Sequence, residues 1–377
     1  MTYLDSGATS FPKPQCVTDA MVRAQENCGN PGRGGYASAM LGAKTLLRCR
    51  ERAGELFDCE AEQVVLTTSC THGLNMAIRT LVNPGSRVVI SGFEHNAVTR
   101  PLHMLGANIH VAGRKLFDRA DTLEQFESAL RRGADAAVFT HVSNVFGYIL
   151  PVEEMAALCR KYRVPFIMDC AQSAGTLPVS LGKLGADFIA MPGHKGLLGP
   201  MGTGVLLCNR VPKPLLAGGT GSRSKEQAMP DFLPDAGEAG TANVPGFAGL
   251  AAGIDYVQKQ TPNRIFTAEQ QQMRRCADRL EKLGLRVFTG ENQCGTVSFV
   301  PDCDCEELAE FLGRHGICVR AGLHCAPLAH ESAGTLDTGT VRVSFGHDAA
   351  PWQTGNLLFA LEKFKENRRK YRNLPNL

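Results

Sequence analysis

Lys195 stands between glycines in the stretch Met191-Pro192-Gly193-His194-Lys195-Gly196-Leu197-Leu198-Gly199-Pro200, directly after the apolar run Phe188-Ile189-Ala190. A lysine in a loop at the carboxyl end of a buried strand can meet a ligand, and desolvation near other cations eases the loss of its proton. The free amine is a nucleophile that forms a Schiff base with an aldehyde, of which pyridoxal phosphate is the obvious biological example. On this stretch alone a solvated loop lysine is the simpler explanation.

Other residues along the chain have types suited to the same chemistry. Thr68-Ser69-Cys70-Thr71-His72-Gly73 leads straight into a helical pattern, so free amides and hydroxyls would lie at the positive end of a helix dipole and could cradle a phosphate. An ordinary helix cap by Ser69 or Thr71 explains that segment equally plainly. His95, in Glu94-His95-Asn96, could lie flat on an aromatic cofactor or move protons near neutral pH, or simply hydrogen-bond at a helix start. Asn144 follows a short apolar run and can donate to a ligand oxygen. Asp169 ends the run Phe166-Ile167-Met168, where a carboxylate is costly to bury without a cation or donor. It either caps the next turn or keeps a pyridine nitrogen protonated, with Gln172 then in reach of the ring hydroxyl. Cys325, beside His324 and near Arg320, has an electropositive setting that favours thiolate, although most free cysteines are small buried hydrophobes. Arg33, in the glycine-rich loop Asn30-Pro31-Gly32-Arg33-Gly34-Gly35-Tyr36, is open between a solvated charge and a contact to an anionic ligand.

The elements that must position these residues follow from the apolar pattern. Short β-branched or apolar runs predict strands at Val64 to Thr67, Arg87 to Ile90, Asn108 to Val111, Ala136 to Thr140, Val164 to Met168, Phe188 to Met191 and Gly204 to Leu207. Amphipathic segments alternate with them, at Thr71 to Leu81, Leu123 to Arg131 and Val152 to Lys161. The expected fold is therefore α/β, a mostly parallel central sheet sandwiched by helices, and in such sheets ligands collect at the carboxyl ends of the strands. Every candidate above except Arg33 and Cys325 falls just beyond one of those ends. Past Tyr256 the order changes to helix, strand, strand, helix, with strands at Arg286 to Phe288, Thr296 to Val300, Ile317 to Arg320 and Val341 to Phe345 and helices at Ala268 to Leu283, Cys305 to His315 and after Pro351. A large domain over residues 15–255 and a smaller α+β domain over residues 1–14 and 256–377 are expected.

Asp169-x-x-Gln172 and Gly193-His194-Lys195, with Asn144 and His95 upstream, resemble the class V aminotransferase group of fold-type I pyridoxal phosphate enzymes. The likeness runs from Leu4-Asp5-Ser6-Gly7-Ala8-Thr9 to Arg342. It implies pyridoxal 5'-phosphate held by Cys70, Thr71, His72 (through its amide), His95, Asn144, Asp169, Gln172, His194 and Lys195. It further implies a homodimer in which Thr241, in Glu238-Ala239-Gly240-Thr241-Ala242-Asn243, reaches the neighbour's cofactor phosphate; without the resemblance Thr241 reads as the cap of a helix from Pro245 to Tyr256. Arg342 matches the arginine that binds the substrate carboxylate, with Asn144 and Arg33 beside the substrate. The stretch Val319 to Leu328 resembles the short catalytic-cysteine loop of the cysteine desulfurase and selenocysteine lyase branch, with Cys325 as nucleophile and Lys195 and His95 as its catalytic companions. The implied reaction takes L-cysteine to L-alanine with a persulfide on Cys325 for a sulfur-acceptor protein. A selenocysteine lyase acting on L-selenocysteine, a class V aminotransferase or β-lyase with a structural Cys325, and a sulfur-relay protein without catalysis are the alternatives. Pro192, Leu323 and His72 depart from the group's pattern, which commonly has Ser or Thr, His and Glu there.

Composition narrows the classes further. The 377 residues are 44% hydrophobic and 20% charged with a net charge of +3, enough to bury a substantial core and too balanced for a nucleic-acid or membrane-surface binder. No signal peptide or membrane-spanning run is evident, so a cytoplasmic location is expected. The fourteen cysteines are scattered. Cys303 and Cys305 lack the second close pair of a zinc site, so no metal is expected.

Overall fold

The computed structural model describes residues 1–32 and 34–372, with side chains through Arg368; Arg33, one of the expected substrate contacts, lies outside the described residues. The strands in chain order are β1 (Thr2–Tyr3), β2 (Val64–Thr67), β3 (Arg87–Ser91), β4 (Asn108–Ala112), β5 (Ala136–Thr140), β6 (Phe166–Asp169), β7 (Phe188–Pro192), β8 (Gly204–Cys208), β9 (Arg286–Phe288), β10 (Thr296–Val300), β11 (Ile317–Cys318), β12 (Arg320–Gly322) and β13 (Thr340–Ser344).

Seven of them form one sheet in the order β2-β8-β7-β6-β5-β3-β4. Its strands other than β4 read as largely continuous apolar runs because both faces are covered, whereas the edge strand β4 is mostly exposed. Val89, Ala137, Phe139, Phe166, Met168 and Ile189 pack into the core on one face, while Val88, Ile90, Ala136, Val138, Ile167 and Phe188 pack into that on the other. This is the period-two alternation of a strand buried on both sides. β3 through β7 run parallel, whereas β8 is antiparallel to both β7 and β2, the one departure from the expected parallel sheet. The winding reverses between β3 and β5, the kind of position where a crevice opens at the carboxyl ends of the strands.

A second, antiparallel sheet has the order β12-β13-β10-β9, and β1 pairs with β11. The expected single strand over Ile317 to Arg320 is in fact two, because β11 joins β1 while β12 turns to join β13. Leu4 is buried in the same core as Val297, Phe299, Val341 and Leu361, which anchors the N-terminal arm to this second sheet and its helices. Among the described residues no helix is long and apolar enough to cross a membrane.

Candidate active site

Five of the parallel strands end against one cleft. β2 leads to Ser69, whose Oγ accepts from the His72 amide at 3.1 Å and caps the helix Cys70–Leu81. That bond engages the His72 amide in the cap, and His72 is not among the residues that line the cleft. Cys70 and Thr71 do line it, at the positive end of the helix. The glycines around Lys195 serve close approach: a Cβ on Gly193 would collide with Thr203 Oγ1, and one on Gly196 with the Ala174 carbonyl.

Lys195 and Asp169, from the ends of β7 and β6, line the same cleft together with His95, Asn144, Gln172 and His194. Burial, and then the Arg342 charge, lower the Lys195 pKa against the opposing pull of Asp169, Cys70 and Asp5, which favours a free amine. Asp169 is 2% exposed; its Oδ1 accepts from the Ala171 amide at 2.8 Å and the Cys70 thiol at 3.4 Å. Oδ2 takes no hydrogen bond among the described residues. Asp169 therefore both braces the following turn and keeps one oxygen for a ligand.

His95 is the N-cap of the helix Asn96–Met104, with Nδ1 accepting from the Ala97 amide at 3.0 Å. The other ring nitrogen then carries the proton, and burial lowers the pKa, so the ring is a neutral, flat group at neutral pH. His194 is likewise kept neutral, pushed down to about 4 by burial and by Lys195 and Lys13.

The other expected residues come in part to this place. Asn144 Nδ2 donates to the His324 carbonyl at 2.8 Å, and the Asn96 amide to the Cys325 carbonyl at 2.7 Å. These two bonds hold the cysteine loop on the cleft rim. His324 and Cys325 are both in the left-handed region, with φ of 50° and 55°, and the Cys325 side chain is exposed rather than packed. The expected help from His324 does not materialise: burial drives its pKa far below the usual imidazole range, and Nε2 faces Thr340. Arg320 lies close enough to Cys325 to interact with it electrostatically. Thr241 is exposed and lines none of this cleft; the helix Val244–Gln260 is capped by Asn243 Oδ1 instead.

Arg342 is 2% exposed. Its Nη1 donates to the Asn144 carbonyl at 2.9 Å, its Nη2 to Asp5 Oδ1 at 2.8 Å, and its Nε has no partner among the described residues. Asp5 was not singled out from the sequence, nor was the reach of its arm. Gly7 O accepts from Gln172 Nε2 at 3.0 Å, and Thr9, Ser10 and Lys13 all hydrogen-bond to His194. A polar, glycine-containing arm that departs from its anchor at Leu4 carries no periodic signal to mark it.

These groups fit pyridoxal phosphate: an amine of lowered pKa, a carboxylate with a spare oxygen, a flat neutral imidazole and the buried, unpartnered Asn144 Oδ1 surround one cleft. The aminotransferase class-V profile matches residues 2–351, and the chain belongs to that family of pyridoxal phosphate enzymes. Within it, the chain is 32% identical over 365 residues to a probable cysteine desulfurase of Methanothermobacter thermautotrophicus, covering 91% of this chain and 89% of the relative. It is 31% identical over 352 residues to the cysteine desulfurase of Escherichia coli O157:H7, with 86% and 84% covered. Among solved structures, the apo cysteine desulfurase of Thermococcus onnurineus NA1 superposes with a TM-score of 0.88 at 29% identity, covering 97% of this chain and 94% of that one. The Escherichia coli cysteine desulfurase CsdA in its S-sulfonic acid form gives 0.85 at 25% identity, with the same coverage.

Proposed function

We propose that the protein is a pyridoxal phosphate-dependent cysteine desulfurase that converts L-cysteine to L-alanine and carries the sulfur on Cys325. One observation supports it above the others: Lys195 and Asp169 share a cleft to whose rim the exposed Cys325 is tied by Asn144 and Asn96. The bound cofactor supplies an aldehyde carbon for amines and a ring that accepts electrons released at the substrate α-carbon.

The chain's own groups do the rest. Asp169 Oδ2 would hold the proton on the ring nitrogen. His95 would lie against the ring, with Gln172 and Asn144 addressing its hydroxyl. Cys70, Thr71 and His194 would hold the phosphate, joined by Thr241 of a second copy. Arg342 binds the substrate carboxylate and so fixes which bond at the α-carbon is aligned for cleavage. Lys195 takes the α-proton and returns it. The Cys325 thiolate then attacks the substrate sulfur: the new S–S bond forms as the Cβ–S bond breaks, its electron pair stays with the β-carbon, and that carbon takes up one proton. Thiolate, cysteine and one proton thus give enzyme persulfide and alanine. Sulfur is oxidised and the β-carbon reduced, with no outside redox partner.

A homodimer is part of this reading. Tyr36, Met40, Leu41 and Leu47 stand exposed at the start and along one stretch of the helix Ala37–Phe57, an apolar surface suited to a second copy. We place the domain boundary near Tyr256, with residues 1–14 joined to the smaller unit. We place the enzyme in the cytoplasm, the compartment in which the unpaired thiols of its fourteen cysteines persist. A sulfur-acceptor protein would dock over Cys325. Mass spectrometry after incubation with L-cysteine is expected to find one added sulfur atom on Cys325, and Cys325→Ala to lose sulfur release. Full sulfur release by Cys325→Ala would reduce the residue to a structural one.

A further inference from the structure

Residues 209–243 run from β8 to the helix Val244–Gln260 with one short turn, Asp235–Gly237, on the way, and they carry Thr241. A strap of that length keeps a side chain in one place only where bonds offset the entropy of ordering it. Such bonds stand on both sides of Thr241. Two residues on, Asn243 caps the helix Val244–Gln260. Three residues back, Glu238 grips the body of the chain at two points: its Oε1 accepts from the Leu66 amide at 2.7 Å, and its Oε2 from Arg50 Nη2 at 2.5 Å.

Both partners are informative. β2 is the outermost strand on its side of the large sheet, so the Leu66 amide that points away from β8 has no strand to pair with, and Glu238 satisfies it. The strap lies close against β2 here, because a Cβ on Gly237 would stand 2.6 Å from Val65 Cγ1. Arg50 belongs to the helix Ala37–Phe57, whose exposed Met40, Leu41 and Leu47 form the surface suited to a second copy. The side chains of Arg50 and Glu238 are 13% and 18% exposed, so removal of either strands the other away from water. Burial raises the Glu238 pKa, and Arg50 and the Leu66 amide oppose that shift. Glu238 thus joins the strap both to the sheet edge and to the helix that faces the second copy.

Resting on the reading that Thr241 enters the other copy's site, we propose that Glu238 is a positioning residue that acts across the dimer: its grip on Leu66 and Arg50 sets where Thr241 stands against the partner's cofactor phosphate. β2 also leads, within the same chain, to Ser69, Cys70 and Thr71, so a role confined to that chain's own phosphate cradle is the rival that the test separates.

The test measures the dissociation constant of pyridoxal 5'-phosphate from the full-length enzyme by the absorbance of the lysine-linked cofactor. Glu238→Ala is expected to weaken cofactor binding about tenfold, as loss of the Thr241 contact itself would. Co-expressed with inactive Lys195→Ala, it should release sulfur from L-cysteine at limiting cofactor above the sum of the two homodimers. Each hybrid dimer has one site that combines the lysine of the Glu238→Ala chain with a strap fastened by the intact Glu238 of the other chain. Unchanged affinity in a folded Glu238→Ala protein overturns the inference. So does weakened affinity that the hybrid does not relieve, which confines Glu238 to the β2 end of its own chain. Should Glu238→Ala fail to fold with Arg50 left unpaired, Glu238→Ala combined with Arg50→Met removes both charges together and decides by the same outcomes. Thr241→Ala separates the two layers. No loss of affinity there, or a loss that Lys195→Ala does not relieve, removes the placement of Thr241 itself, whereas relief for Thr241→Ala without relief for Glu238→Ala removes only the role of Glu238.

Discussion

Glu94 shows how burial sets charge at single residues around this cleft. It is fully buried, and its Oε1 accepts from the Ser91 hydroxyl and the Thr140 amide while Oε2 has no partner among the described residues. Burial outweighs those bonds and pushes its pKa from 4.5 up to about 8, so the side chain is a neutral acid that ties the end of β3 to the end of β5. The sign follows from linkage. The folded state keeps a proton that the unfolded state gives up, so the stability present below pH 4.5 is lost as pH rises towards 8. Glu94→Gln copies the neutral form and keeps an oxygen for Ser91 and Thr140. Between pH 5 and pH 7 the wild-type protein should lose stability relative to Glu94→Gln by about 1.4 kcal/mol per pH unit at most. Urea denaturation at several pH values measures this, and parallel curves for the two proteins would mean that Glu94 is already ionised. The same burial leaves His95, His194 and His324 neutral, so His324 adds no positive charge beside Cys325.

Elements with a strong local signal were legible in the sequence, and those decided by partners were not. The seven strands of the large sheet fall within about two residues of their expected limits; all but the exposed edge strand β4 are covered on both faces and so are largely apolar. The strand ends then placed Asp169, Lys195, His95 and Asn144 around one opening. The 21-residue helix Ala37–Phe57 received no assignment. It starts at Tyr36 without a side-chain cap and contains Gly42 and Gly54, which read as breaks. Both glycines are packing sites instead: a Cβ on Gly42 would meet the Gly29 carbonyl, and one on Gly54 the Cys59 carbonyl. The direction of β8, the division of Ile317 to Arg320 between two sheets, and the grip of Asp5 on Arg342 depend on chain segments far apart in sequence. No local pattern encodes them. The departure at Leu323 has a visible consequence, since the residue is 39% exposed and its apolar side chain gives the cysteine loop no hydrogen bond, its carbonyl alone accepting from the Ala326 amide at 2.9 Å.

At the scale of the whole molecule the account requires two copies. Thr241 is exposed and away from the cleft of its own chain, so its proposed contact with a cofactor phosphate must be made in the other copy's site. Thr241→Ala is expected to weaken cofactor binding about tenfold, the loss of one hydrogen bond to a charged group. Mixing it with inactive Lys195→Ala should then restore activity, because each hybrid dimer contains one site with its own lysine and an intact threonine from its partner. Activity no greater than the sum of the separate variants would place Thr241 outside the neighbour's site. The claim on which everything else depends is that the Lys195 amine joins the cofactor aldehyde. Borohydride reduction of the yellow protein, followed by peptide mass spectrometry, tests it most directly. The account predicts one reduced phosphopyridoxyl group on Lys195 and none on Lys195→Ala, whereas the group on another lysine, or its retention in Lys195→Ala, would contradict it.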